Sequence, residues 1–258
     1  MEQGRVDIEV LGGIGTITFG HPQSNSLPGN LLRKLADSIT SLGEDERVRV
    51  IVLKSFGEKT FCAGASFDEL VAISDTESGL HFFSGFALVI NACRKVKKLI
   101  IGRVQGKAVG GGVGIAASVD YCFATTSASV KLSELAVGIG PFVVGPAVER
   151  KVGVSGMSEL AIQATEWRSA EWAKQKGLYN EVFETTEALD DAITKLAHRL
   201  SQSNPEAMEE LKKLLPADVS LEIFYDSTEL TTRAVKTVEK ALSEAVVLVL
   251  LVCHTSVL

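Results

Sequence analysis

The sequence predicts an α/β fold, with mostly parallel strands alternating with helices, and three observations lead there. Two stretches, residues 48–53 and 99–104, are mostly β-branched or aliphatic, the pattern of strands buried on both faces of a sheet. Each follows a segment whose apolar residues recur at helical spacings of three and four. From about Ser155 onward the helical period dominates, so a layer of helices closes the chain. With 258 residues, 46% of them apolar and 22% charged, the chain can bury one large core, which excludes a disordered protein.

The elements follow in order. Residues 6–11 and 14–19 are β-rich runs parted by Gly12 and Gly13, which supply the positive φ of a tight turn, so they predict a hairpin. Pro28 pre-sets φ for a first helical turn, and Leu31, Leu32, Leu35, Ile39 and Leu42 give the next segment an apolar stripe up to Gly43. The strand at 48–53 completes a strand-helix-strand crossover. Phe82, Phe83, Phe86, Val89, Ile90 and Cys93 predict a helix over 82–96, followed by the strand at 99–104. A glycine cluster at 106–114, an Ala-rich segment to Asp120 and a strand at 121–125 come next, then a β-like stretch at 128–130. Beyond 155 only residues 181–183 read as a strand; Leu189, Ile193, Leu196 and Leu200 belong to a helix.

Charge and composition narrow the function. Lys and Arg total 26 against 32 for Asp and Glu, a net charge of −6, and no run of five like charges occurs. A nucleic-acid partner is disfavoured, because binding phosphates needs a concentrated positive stripe. The first ten residues carry no apolar signal-peptide core, and the most apolar run, residues 245–253, is far short of the ~20 that a spanning helix needs. No membrane partner and a cytoplasmic location are the resulting expectations. Cys62, Cys93, Cys122 and Cys253 form no C-x-x-C pair and read as buried thiols, and no two of the four histidines have metal-ligand spacing, so no metal is expected.

Three stretches offer backbone groups or a carboxylate where packing does not require them. Lys59-Thr-Phe-Cys-Ala-Gly-Ala-Ser66 precedes a short helical pattern at 67–73; its Ala63, Gly64 and Ala65 leave amides uncovered at a helix start, or simply fit a tight corner. Gly106-Lys-Ala-Val-Gly-Gly-Gly-Val-Gly114 opens an Ala-rich helix, and consecutive glycines there permit close approach to a ligand. A dinucleotide fingerprint fails, because its third glycine would fall at Ile115, and a phosphate loop fails for lack of Gly-Lys-Ser/Thr. Lys131-Leu-Ser-Glu-Leu-Ala-Val-Gly-Ile-Gly-Pro141 sets Glu134 between Leu132 and Leu135 in apolar surroundings. Desolvation there would raise its pKa and suit it to general acid/base work near neutral pH; the bland reading is an exposed glutamate at a helix start.

Together with His21-Pro22-x-x-Asn25-x-Leu27 and Asp120, these stretches resemble the enoyl-CoA hydratase/isomerase, or crotonase, superfamily over residues 6–210. The resemblance implies a crotonase-like spiral of ββα units, a core over residues 1–200 and a C-terminal helical trimerisation segment over 201–258. It implies an acyl-CoA thioester substrate, with coenzyme A entering as part of it and no separate cofactor, and a homotrimer or dimer of trimers. By position, the amides of Ala65 and Gly111 would form the oxyanion hole for the thioester oxygen, and Glu134 would be the acid/base. Ala63, Gly64, Ser66, Phe67 and Asp68 would line the coenzyme A groove, with Gly110 and Gly112 beside the hole and Ser133 next to Glu134. Gly138 to Phe142 would shape the acyl pocket.

Hydratases of the family usually hold water between two glutamates, and the place of the first falls on Gly114. One acid/base remains, as in single-glutamate Δ3,Δ2-enoyl-CoA isomerases. The details resemble more closely the bacterial 3-methylglutaconyl-CoA hydratases, which also carry glycine there and whose substrate brings a distal carboxylate. Lys131 and Arg150 are the nearest cations in sequence for that carboxylate. The expected function is thus an enoyl-CoA hydratase, with 3-methylglutaconyl-CoA as a candidate substrate; a single-glutamate isomerase and a non-catalytic scaffold are the alternatives.

Overall fold

The computed structural model describes residues 4–215. The apolar run at 245–253 and most of the expected trimerisation segment lie outside the described residues. The chain opens on β1 (Arg5–Leu11), β2 (Ile14–Gly20), the two-residue β3 (Ser26–Leu27) and α1 (Gly29–Glu44). It continues through β4 (Val50–Ser55), β5 (Thr60–Cys62), β6 (Gly64–Ala65), α2 (Phe67–Val71), α3 (Thr76–Lys95), β7 (Leu99–Val104), β8 (Lys107–Val109) and α4 (Gly111–Ser118). The rest comprises β9 (Tyr121–Thr125), β10 (Ser129–Lys131), α5 (Gly145–Ile162), β11 (Arg168–Ser169), α6 (Ala170–Gln175), β12 (Glu181–Phe183), α7 (Thr186–Ser201) and α8 (Pro205–Leu214).

A six-stranded sheet runs β1-β2-β4-β7-β9-β12, parallel except for the β1–β2 hairpin. A smaller sheet runs β11-β10-β8-β5, and β3 pairs with β6. The unit repeats: β4 and β5, β7 and β8, and β9 and β10 each put one strand in the large sheet and the next in the small one, before a helix follows. Residues of α1, α3 and α4 pack into the main core with one face of the large sheet. Leu189, Ile193 and Ala197 of α7 cover Val50, Val52, Ile101 and Phe123 on the other face. Burial on both sides explains why β4 and β7 read as unbroken apolar runs.

The differences from the sequence reading have local causes. Helix α3 begins six residues before Phe82, because Asp75 and Ser78 form a reciprocal capping box ahead of a solvent-facing first turn that has no apolar stripe. Helix α5 begins at Gly145, ahead of the expected 155, and bends at Gly153, whose φ of 69° is open to glycine. Strands β3, β5, β6, β8 and β11 are two or three residues long, too short to show a period of two.

Helix α8, beyond residue 200, is tied to the core by one buried lysine. Lys212, in α8, buries its ammonium and donates to the carbonyls of Cys93 (2.9 Å) and Lys98 (2.7 Å) and to the Asp120 carboxylate (3.0 Å). Asp120 also accepts from the Ile100 amide at 2.7 Å, so one carboxylate ties α8 to the end of α4 and to β7. Lys212→Met should therefore lower stability by about 3 kcal/mol, since it strands a buried carboxylate, and Asp120→Asn added to it should recover part of the loss. Urea unfolding of the two variants checks this; equal midpoints for wild type and Lys212→Met would refute it.

Candidate active site

The site is assembled by the register of the small sheet. Cys62 of β5 pairs with Ala108 of β8, and Ala108 pairs with Val130 of β10. The chain then leaves all three strands in the same direction, so the residues just beyond them meet: Ala65, Gly111, and Ser133 with Glu134. These four residues line one cavity of about 250 Å³ together with Ala63, Gly64, Ser66, Phe67 and Gly110.

The loops that feed it are held by a buried asparagine. Asn25, in the left-handed region at φ 56°, accepts from the His21 amide at 2.9 Å and donates to the carbonyls of Phe56 (2.8 Å) and Thr60 (2.9 Å). That clamp fixes the entry to β3, against which β6 lies in parallel, with Leu27 opposite Ala65. Ser26 adds a hydrogen bond to the Ala65 carbonyl at 2.8 Å.

At the start of α4 the amides of Val113 and Gly114 already donate to the Gly110 carbonyl, at 2.9 and 3.2 Å. The first two amides of the helix, Gly111 and Gly112, are the ones the helix itself leaves unused, at the positive end of its dipole. Glycine is required at both 110 and 111. Gly110 has φ 51° and ψ −114°, and a Cβ there would stand 2.9 Å from Glu134 Oε1. A Cβ on Gly111 would meet the Phe86 ring at 2.3 to 2.5 Å.

Glu134 caps a single 3-10 turn, Leu135–Val137. Its Oε2 is buried without a hydrogen-bond partner. Burial pushes its carboxyl up to about 7, opposed by a bond to its own amide. A carboxyl titrating there can accept a proton and return it near neutral pH. The thiol of Cys62 lies behind Gly112; burial holds it at about 12, as a protonated thiol and not a nucleophile. Among the described residues no three His, Cys, Asp or Glu side chains gather into a metal-binding group.

The remaining residues from the sequence reading fall outside this lining. Asp68 is exposed in the first turn of α2. Gly112 faces the Cys62 carbonyl, 2.4 Å from where a Cβ would lie, so its glycine serves the packing of α4 on β5. Gly138 ends the 3-10 turn at φ 81°, and the half-exposed Phe142 folds back over Gly140. Between those two residues, Ile139, Gly140 and Pro141 of the expected stretch do line the cavity, and Val137, Val143 and Val144 on either side of it line it as well. Neither Lys131 nor Arg150 lines it: Lys131 lies 4.7 Å over the Trp167 ring, and Arg150 reaches the Ala117 carbonyl at 3.4 Å.

Sequence reasoning missed the wall made by α3. Phe82, Phe83 and Phe86 line the cavity, and Phe86 lies against the Gly111 backbone. All three fell within the apolar pattern of a core helix, and nothing in that pattern sets cavity-facing phenylalanines apart from core ones. The place of a second carboxylate is also filled. A Cβ on Gly114 would meet Val144 at 2.7 Å and Ile90 at 3.2 Å, so no longer side chain fits without repacking.

A family model described as enoyl-CoA hydratase/isomerase matches residues 9–244. The human mitochondrial methylglutaconyl-CoA hydratase is 34% identical over 71% of this chain, which spans only 55% of that protein's length. A short-chain-enoyl-CoA hydratase of Clostridium acetobutylicum is 29% identical over 86% of this chain and 85% of its own. The crystal structure of an enoyl-CoA hydratase from Mycobacterium smegmatis superposes with a TM-score of 0.75 at 28% identity, covering 94% of this chain and 91% of the other. The recurring pairs of strands, the cavity fed by three small-sheet strands and these matches agree: the chain belongs to the enoyl-CoA hydratase/isomerase family and has its crotonase fold.

Proposed function

We propose that the protein hydrates an enoyl-CoA thioester, with Glu134 as its one acid/base. The observation that carries this reading is that, among the described residues, Glu134 is the one carboxylate lining a cavity that also holds Ala65 and the start of α4. The thioester oxygen would lie between the amides of Ala65 and Gly111. Glu134 takes a proton from water as the hydroxide adds to the β carbon, the double-bond electrons move onto the thioester oxygen, and Glu134 returns the proton to the α carbon. Donors fixed on strand and helix backbone stabilise the enolate without reorganising, and losing one such donor costs about 10²- to 10³-fold. The hydratase names of the relatives support water addition.

The filled space at Gly114 favours a second reading, in which the acyl chain excludes water and Glu134 moves a proton from the α carbon of a 3-enoyl-CoA to its γ carbon. Crotonyl-CoA and 3-hexenoyl-CoA assayed side by side separate the two. Loss of the conjugated enoyl absorbance from crotonyl-CoA is expected. A gain of that absorbance from 3-hexenoyl-CoA, with crotonyl-CoA untouched, would replace hydration by isomerisation, and no turnover of any enoyl-CoA would overturn both.

A further inference from the structure

The polar inventory of the cavity bears on which acyl groups it accepts. Its lining includes three hydroxyls, Ser26, Ser66 and Ser133, and one carboxylate, Glu134; among the described residues no Lys, Arg or His lines it. Two hydroxyls are engaged, Ser26 with the Ala65 carbonyl at 2.8 Å and Ser66 with the Glu69 amide at 3.4 Å. Leu70, Phe82, Phe83, Phe86, Val143 and Val144 supply apolar wall. The wall is rigid where it meets the helix: Phe86 packs on Gly111, and Val144, 3% exposed, packs on Gly114.

From this we infer that the acyl group handled here is uncharged, and that a carboxylate-bearing acyl chain such as 3-methylglutaconyl is rejected. The inference rests on the reading of the cavity as an acyl-CoA site. A distal carboxylate would exchange water for hydrocarbon with no cation among the described lining residues to meet it, and it would share a small low-dielectric space with Glu134. A cationic acyl group is disfavoured by the same carboxylate, because an ion pair would lower its proton affinity and weaken it as the base that takes the proton from water.

The matched pair 3-methylcrotonyl-CoA and 3-methylglutaconyl-CoA differs only in the added carboxylate. With the full chain, kcat/KM is expected to favour 3-methylcrotonyl-CoA by at least about 100-fold. Calorimetry with the unreactive saturated analogues, isovaleryl-CoA and 3-methylglutaryl-CoA, should show the same order. Val137 is half-exposed at the cavity mouth, so Val137→Arg can bring in a cation without burying it, and it should shrink the binding preference at least about tenfold. Equal or tighter binding of 3-methylglutaryl-CoA would overturn the inference and leave the acyl-CoA reading standing. Preferential binding of isovaleryl-CoA without turnover would sustain it while removing the proposed hydration, and no binding of either thioester would overturn both.

Discussion

Glu134→Gln should lower kcat/KM for enoyl-CoA by about 10³-fold, within the range found for loss of a positioned acid/base, while making the protein more stable above neutral pH. Both effects come from one fact: a carboxylate is held where water does not reach one of its oxygens. Its folded pKa of about 7 lies above the ordinary 4.5, so between those values the native state binds the proton and the unfolded chain does not. Stability from this group is thus fully present below about pH 4.5, falls as pH rises through 7, and is then lost, by about 3 kcal/mol at about pH 8. Glutamine keeps the shape without the charge and removes that cost. Urea midpoints should therefore separate in favour of the variant at about pH 8 and nearly coincide at about pH 5. In the wild type, kcat/KM should fall below about pH 7 as Glu134 takes up its proton, a limb that the variant lacks. A variant less stable than wild type at about pH 8, or turning over crotonyl-CoA within tenfold of it, would falsify the role given to Glu134.

Gly111→Ala should cost about 10²- to 10³-fold in kcat/KM, because the added methyl forces the first amide of α4 out of line. The nearest atoms to that methyl are all in the Phe86 ring, at 2.3 to 2.5 Å, and that ring belongs to the buried core, so the contact cannot be relieved without repacking. Either the helix start or the ring must move. Phe86→Ala removes the obstacle, so the double variant should regain at least tenfold over Gly111→Ala alone, although Phe86→Ala by itself destabilises the core by about 3 kcal/mol. Initial rates on crotonyl-CoA and the unfolding midpoint, measured for all members of the cycle, separate the two effects. If the two losses simply multiplied in kcat/KM, the contact between Phe86 and Gly111 would have no bearing on the hole.

Much of this architecture is legible in the sequence. The double-faced burial of β4 and β7 followed from their apolar runs, and α1 from its stripe of leucines. Glu134 drew attention as an acid among apolar neighbours, and the structure buries it as that company predicted. Gly110 and Gly111 were legible as glycines needed for close approach, although the sequence did not reveal that the approaching groups are Glu134 and Phe86. Lys131 and Arg150 looked available as cations by proximity in sequence, yet their chains run to Trp167 and to the end of α4.

The sequence by itself determined the alternation of strands and helices, the family, and the residue types proposed to form a backbone hole beside one carboxylate, because those depend on local periodicity and on side-chain chemistry. Tertiary structure alone decided which of these groups meet. Strands β5 and β8 are too short to leave a periodic trace, and the β-like stretch at β10 does not say what it pairs with, so the pairing of Cys62, Ala108 and Val130 that brings Ala65, Gly111 and Glu134 to one cavity is visible only in the folded sheet. The same holds for the aromatic wall of α3 and for Val144 filling the space over Gly114: packing between helices distant in sequence is set by volumes and register, which no single segment records.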